Sequence, residues 1–234
     1  MRVQLFKTKR EPASEAENFC LRILVVAAVL FFFSGCIGGK RPNVIDQYTI
    51  EYSSPAFNGF SRIDTSIKVG MFSVNQAFNS PAMVYAPAPF QQDAYNYNRW
   101  IVNPGDMITD YLLRDLRNSG LFAAVFSYSG TEEAPFLLQG NVEKFLEVDE
   151  KDSSKAELTL NATLIDTSRK GLTNRIVFQK NYSAAGPPEK KSARGFAESM
   201  SGAMQNISKQ LISDIYHSIK ESAVRKPLPQ NLQR

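Results

Sequence analysis

The chain is poor in the residues that most often carry out chemistry. Its 234 residues include two cysteines, one histidine and one tryptophan. A lone histidine, His217, excludes a histidine metal cluster, and it falls off the apolar stripe of its segment, where it faces solvent. No glycine-rich phosphate loop precedes a helix. Neither a Gly-x-Ser-x-Gly elbow nor a His-Glu-x-x-His zinc signature occurs. A long apolar run is missing too. Ile23 to Phe33 spans 11 residues, about half of the roughly 20 that a membrane-crossing helix needs. The acidic stretch Glu143, Glu147, Asp149, Glu150 and Asp152 lacks the glycine and ligand spacing of a calcium loop, so it reads as the solvated end of a hairpin. Nothing here calls for a metal or cofactor, and nothing points to an enzyme.

An 11-residue apolar run does suit a secretion signal, with Lys7, Lys9, Arg10 and Arg22 supplying positive charge upstream. The run closes on Phe33-Ser34-Gly35-Cys36. Small residues before a cysteine are what a lipoprotein signal peptidase reads. Cleavage is therefore expected between Gly35 and Cys36, with Cys36 receiving the lipid. Residues 1–35 form the signal, 36–46 a lipidated tether, 47–222 the folded domain and 223–234 a tail with Pro227 and Pro229. Cys20 leaves with the signal and Cys36 is acylated, so the mature chain keeps no free thiol for a disulfide or thiolate catalysis. Five basic and three acidic residues leave with the signal, so 22 and 20 remain. That balance gives no reason to expect nucleic acid. In organisms where Asp after the cysteine retains lipoproteins at the inner membrane, Ile37 in that place implies the outer membrane.

The mature chain reads as alternating strands with two helices. Gln47 to Tyr52 is a first strand, Ser66 to Val74 a central one and Ala82 to Ala86 a short one between prolines. Asn103 caps a helix that Pro104 opens, with Asp106 in its first turn, an apolar face of Ile108, Tyr111, Leu112 and Leu116, and Gly120 at its end. Short strand Val125 to Tyr128 follows. Phe136 to Val148 alternates and then shifts phase near Phe145, which predicts a bulge. Ala156 to Ile165 alternates cleanly, and Arg175 to Ser183 makes a further strand. From Ser192 to Glu221 a stripe of Phe196, Met200, Ala203, Met204, Ile207, Leu211, Ile215 and Ile219 predicts one long helix. This order implies an α+β single domain, mainly antiparallel, with both helices on one face of the sheet.

The most unusual cluster is Tyr95, Tyr97, Arg99 and Trp100. Aromatics beside an arginine suit protein recognition. Tyr95, Tyr97 and Arg99, read as a loop, are the candidate partner-binding residues; Trp100 and Pro104 are structural anchors that hold the loop and the helix start.

Taken in order, these features resemble the auxiliary lipoproteins of bacterial ABC-type transport systems. The resemblance runs from Cys36 to about Ile219. It rests on the lipidated cysteine, Tyr48 and Ile50, a strand from Ile67, Tyr95, Arg99-Trp100, Pro104 opening a helix with Leu112 and Leu116, and Ser119-Gly120-Leu121-Phe122-x-x-Val125. It implies a periplasmic accessory at the outer membrane, working beside an ABC permease and ATPase and a membrane-anchored Mce-type protein that moves lipid between membranes. Self-association into a homo-oligomer is open. Two other readings also remain: a lipoprotein regulating an envelope enzyme such as a cell-wall synthase, and a lipopolysaccharide-assembly lipoprotein.

Overall fold

A computed structural model describes residues 44–171, 175–187 and 189–224, together with Arg22. Apart from Arg22, the expected signal with Gly35, and then Cys36 and most of the tether, lie outside the described residues, as does the tail beyond Val224. The chain divides at Asn43–Val44, and the domain runs from Val44.

Its spine is β7 (Phe136–Asp149), a strand of 14 residues. Along one edge it pairs antiparallel with β8 (Ser154–Asp166), which pairs antiparallel with β9 (Ile176–Ala185). Burial in β8 alternates without a break: Ala156, Leu158, Leu160, Ala162 and Leu164 are buried, whereas Glu157, Thr159, Asn161 and Thr163 are half-exposed. The register slips between Val142 and Lys144, so the expected bulge is present, one to three residues before Phe145.

Along its other edge β7 takes three parallel partners in turn. These are β2 (Ile63–Val69), β3 (Ser73–Val74) and β4 (Ala82–Ala86). Beyond β2 lies β6 (Phe122–Ser127), again parallel. Beyond β4 lies antiparallel β5 (Asp93–Trp100), and outermost the parallel edge strand β1 (Asp46–Tyr48). The longest ladders are the antiparallel ones.

The single expected strand Ser66–Val74 is in fact two. The backbone N–H of Phe72 donates to Thr109 Oγ1 at 2.9 Å, so it is lost to the ladder and the Phe72 ring turns into the core. The first strand is likewise shorter than Gln47–Tyr52. After Tyr48 the backbone is claimed by helix side chains. Glu51 N–H donates to Ser201 Oγ at 2.8 Å, and Tyr111 Oη donates to the Ile50 carbonyl.

Helix α1 (Pro104–Asn118) begins as its sequence requires. Asn103 Oδ1 accepts from Gly105 N–H at 2.9 Å, and Pro104 sits where a missing N–H costs nothing. At Gly105 a Cβ would meet the Phe72 carbonyl oxygen at 2.5 Å, so the helix start lies against the sheet. Gly120 ends the helix with φ of +65°. Helix α2 (Ala193–Val224) buries all eight residues of the expected stripe. Both helices pack on one face of the sheet.

A polar knot ties the irregular segment after β1 to both helices. Asp115 of α1 is fully buried. It accepts from Tyr52 Oη at 2.7 Å, Ser54 Oγ at 2.7 Å, Ser208 Oγ of α2 at 2.6 Å and Arg114 Nε at 2.9 Å. The Arg114 guanidinium lies 4.5 Å over the Tyr52 ring and 4.3 Å over that of Tyr111. Burial and the Asp115 carboxylate hold the Tyr52 phenol well above the ordinary tyrosine range, so it stays a donor.

Candidate interaction surface

Tyr95, Tyr97 and Arg99 were expected in a loop; they lie in β5 instead. β5 does not pair evenly with β4. Ala82 pairs with Arg99, but Val84 pairs with Ala94, so Tyr95-Asn96-Tyr97 bow out of the ladder. Arg99 fastens the bow by donating from Nη1 to the Tyr95 carbonyl at 2.5 Å. Its guanidinium is thereby committed within the strand.

The two tyrosines are separated by this bend. Tyr95 is half-buried, its ring 5.3 Å from that of Tyr85, and its hydroxyl donates to Glu147 Oε2 at 2.6 Å. Tyr97 is 50% exposed. Trp100 is 1% exposed, edge-on to Phe145 and Phe196 with centroids 5.2 and 5.1 Å away. It therefore joins β5, β7 and α2, and Pro104 is buried at the start of α1.

The acidic stretch is not a uniformly solvated hairpin end. Glu147 is 1% exposed. The bulge near Val142 turns it to the helix side of the sheet, where Ser154 Oγ donates to its Oε1. Glu143 before it and Asp149 and Glu150 beyond it do meet solvent, with Asp149 3.5 Å from Lys191 and Glu150 2.9 Å from Lys155. Burial raises the Glu147 pKa above its ordinary 4.5, against the opposing pull of the two hydroxyl donors and Lys191. The Tyr95 phenol is pushed up as well, by burial and by Glu147. A phenol held protonated against an enclosed carboxylate is a structural pair, not an acid–base couple open to substrate. Among the described residues no group of His, Cys, Asp and Glu is arranged to hold a metal ion.

The Glu147 environment predicts a pH dependence. A carboxyl raised on folding favours the protonated native state, so its stabilising contribution is full below about 4.5 and lost as pH rises through the raised value. Glu147→Gln keeps an acceptor for both hydroxyls and removes the titration. Urea melts from pH 4 to 8 should show wild-type stability falling relative to E147Q as pH rises. Parallel curves would place the ionised carboxylate in the native state at no cost.

Chain direction gives the domain two distinct ends. The β4–β5 tip, the β7–β8 turn and the start of α2 lie at one end, which the chain also enters, since β1 runs parallel to β5. At this end the tip encloses an open cavity of about 520 Å³ lined by Ala86, Ala88, Pro89, Phe90, Val148 and Asp149. Phe90 stands wholly exposed with φ of +67°. At the opposite end a cavity of about 570 Å³ lies between Ile63, Pro135, Phe136 and Ile219, with Asp166 and Lys220 at its margin. Sequence reasoning missed Phe90, Glu147 and Asp115. The only signal for Phe90 was an uncharged run from Tyr85 to Gln92 broken by two prolines.

The family model described as ABC-type transport auxiliary lipoprotein component matches residues 48–212. No curated protein matches the chain at a significant level. Among solved structures, protein XCC0632 from Xanthomonas campestris is similar in fold, with 19% identity and a TM-score of 0.68 over 76% of this chain and 98% of that one. The hypothetical protein CT253 from Chlamydia trachomatis overlaps at 7% identity and a TM-score of 0.47, covering 67% of this chain and 98% of its own.

Proposed function

This chain belongs to the ABC-type transport auxiliary lipoprotein component family, and from that premise we propose that it is a lipid-anchored outer-membrane module that docks a periplasm-spanning, Mce-type lipid conduit. Membership makes it a non-catalytic accessory of an ABC transport system; the membrane, the Mce partner and the lipid cargo are the proposal. The family match across most of the domain is the observation that carries it. The Ser34-Gly35-Cys36 signature supports the anchor. No described helix is long and apolar enough to cross a membrane; in this reading the lipid on Cys36 makes the attachment. An accessory without a phosphate loop draws its energy from a permease and ATPase elsewhere. Of the aromatic segment, Tyr97 is the residue with an exposed face to offer a protein partner.

Cross-linking in cells, followed by purification of the full chain, should recover an Mce-type protein with its permease. Recovery of a cell-wall synthase in its place would replace this reading with the regulator. Cys36→Ser should abolish fatty-acid incorporation and leave the precursor uncleaved, as read by an alkyne fatty-acid probe and gel mobility. Undiminished labelling of that variant would remove Cys36 as the anchor.

A further inference from the structure

A phenylalanine fully exposed in a left-handed backbone conformation is costly twice over. Left-handed φ strains a bulky side chain, and the bare ring faces water. Phe90 carries both costs, with φ of +67° and a relative exposure of 109%. Its neighbours add to the apolar surface. The tip reads Ala86-Pro87-Ala88-Pro89-Phe90-Gln91-Gln92, with no charge until Asp93.

The topology brings the entering chain to the side of the tip. Asp46 pairs with Asn98 in parallel register, so the chain through Val44 and Ile45 enters β1 from the side on which β5 begins, the side of the tip. Both are exposed, at 76% and 55%. Asn98 is eight residues from Phe90, so its partner Asp46 stands within roughly 30 Å of Phe90 at about 3.3 Å per residue of strand and one strand spacing across. Cys36 is eight residues before Val44, a reach of at most about 28 Å. An acyl anchor on Cys36 therefore confines this end of the domain, and not the cavity end at Ile219, to the lipid surface.

We propose that the β4–β5 tip is a membrane wedge: Phe90, flanked by Pro87, Ala88 and Pro89, inserts among the lipids that hold the anchor and orients the domain. The inference rests on the Cys36 anchor of the preceding section. Charge at this end is mixed, with Lys151, Lys155, Lys190, Lys191 and Arg194 set among Asp93, Asp149, Glu150 and Asp152. Attraction to anionic headgroups is accordingly weak, and the contact is apolar. The acyl chains on Cys36 hold the domain at the surface, and a shallow aromatic contact adds a second attachment that fixes its orientation. With the tip down, the cavity beside Ile63, Phe136 and Ile219 faces the periplasm.

The test places a spin label on the full chain in vesicles of phosphatidylethanolamine with phosphatidylglycerol. Labels go at Phe90→Cys, at the neighbouring exposed Gln91→Cys, and at the far-end control Glu133→Cys. Accessibility to oxygen, which dissolves in the bilayer, is compared with accessibility to a water-borne nickel chelate. Positions 90 and 91 should favour oxygen at least several-fold over position 133. Equal chelate access at all three positions in acylated, vesicle-bound protein would overturn the wedge and leave the anchor standing. Shielding of position 90 from both quenchers would overturn it in favour of a protein contact. An alkyne fatty-acid probe reports acylation separately. If acylation is absent yet position 90 still favours oxygen when vesicles are present, the wedge stands and the anchor falls. If neither signal appears, both are lost.

Discussion

Replacing Asp115 with alanine is expected to lower stability by roughly 3–5 kcal/mol, since removing one side of a buried ionic network leaves its partners without compensation. For a domain of this size that corresponds to a fall in melting temperature of about 10 °C. Four donors converge on this carboxylate, from Tyr52, Ser54, Arg114 and Ser208. They come from three separate stretches of chain: the segment after β1, α1 and α2. Losing the acceptor orphans two serine hydroxyls, the Tyr52 phenol and part of the Arg114 guanidinium at once. Asp115→Asn keeps the shape and one acceptor oxygen, so its cost should lie between wild type and alanine. Thermal melts by circular dichroism decide the order. A neutral Asp115→Ala would show that the knot orders the N-terminal segment without stabilising the domain.

Trp100→Ala should cost a similar amount, roughly 3–5 kcal/mol, because the cavity it leaves is walled by elements that cannot close over it. The ring is wedged between Phe145 of β7 and Phe196 of α2, and both contacts are edge-on. Trp100→Phe should cost much less. Its ring keeps one aromatic contact, and the indole N–H it removes has no acceptor among the described residues. As the only tryptophan in the chain, Trp100 also makes the wild-type transition readable by fluorescence; the variants are followed by circular dichroism. An alanine variant as stable as the phenylalanine variant would mean that α2 slides to fill the space.

The comparison of expectation with structure sorts by the range of the interactions involved. The Asn103-Pro104 start and Gly120 end of α1, the stripe of α2 and the alternation of β8 all appear as read, for each is set within a few residues of itself. Even the β7 bulge was legible, because a bulge displaces the side-chain period it interrupts. The expected strands at Gln47–Tyr52 and Ser66–Val74 came out short for one shared reason. Ser201, Tyr111 and Thr109 supply hydrogen bonds from helices distant in sequence, and a backbone group so engaged cannot serve a neighbouring strand. The supposed loop at Tyr95 is a strand because it pairs with β4 on one side and β1 on the other, partners that only the fold places beside it.

By itself the sequence determined the leader-and-cysteine pattern, the family resemblance, the two helices with their caps and the inward-facing residues of the long strands. These follow from local steric preference and hydrophobic period, which a chain carries wherever it lies. Tertiary structure alone decided that Glu147 is enclosed while Asp149 and Glu150 are not, that Tyr95 faces Glu147 while Tyr97 faces outward, and that Asp115 gathers four donors. It alone set the tip bearing Phe90 at the end where the chain enters. Each of these depends on which strands lie side by side and in which direction, and that is set by packing between residues dozens of positions apart, beyond the reach of any local pattern.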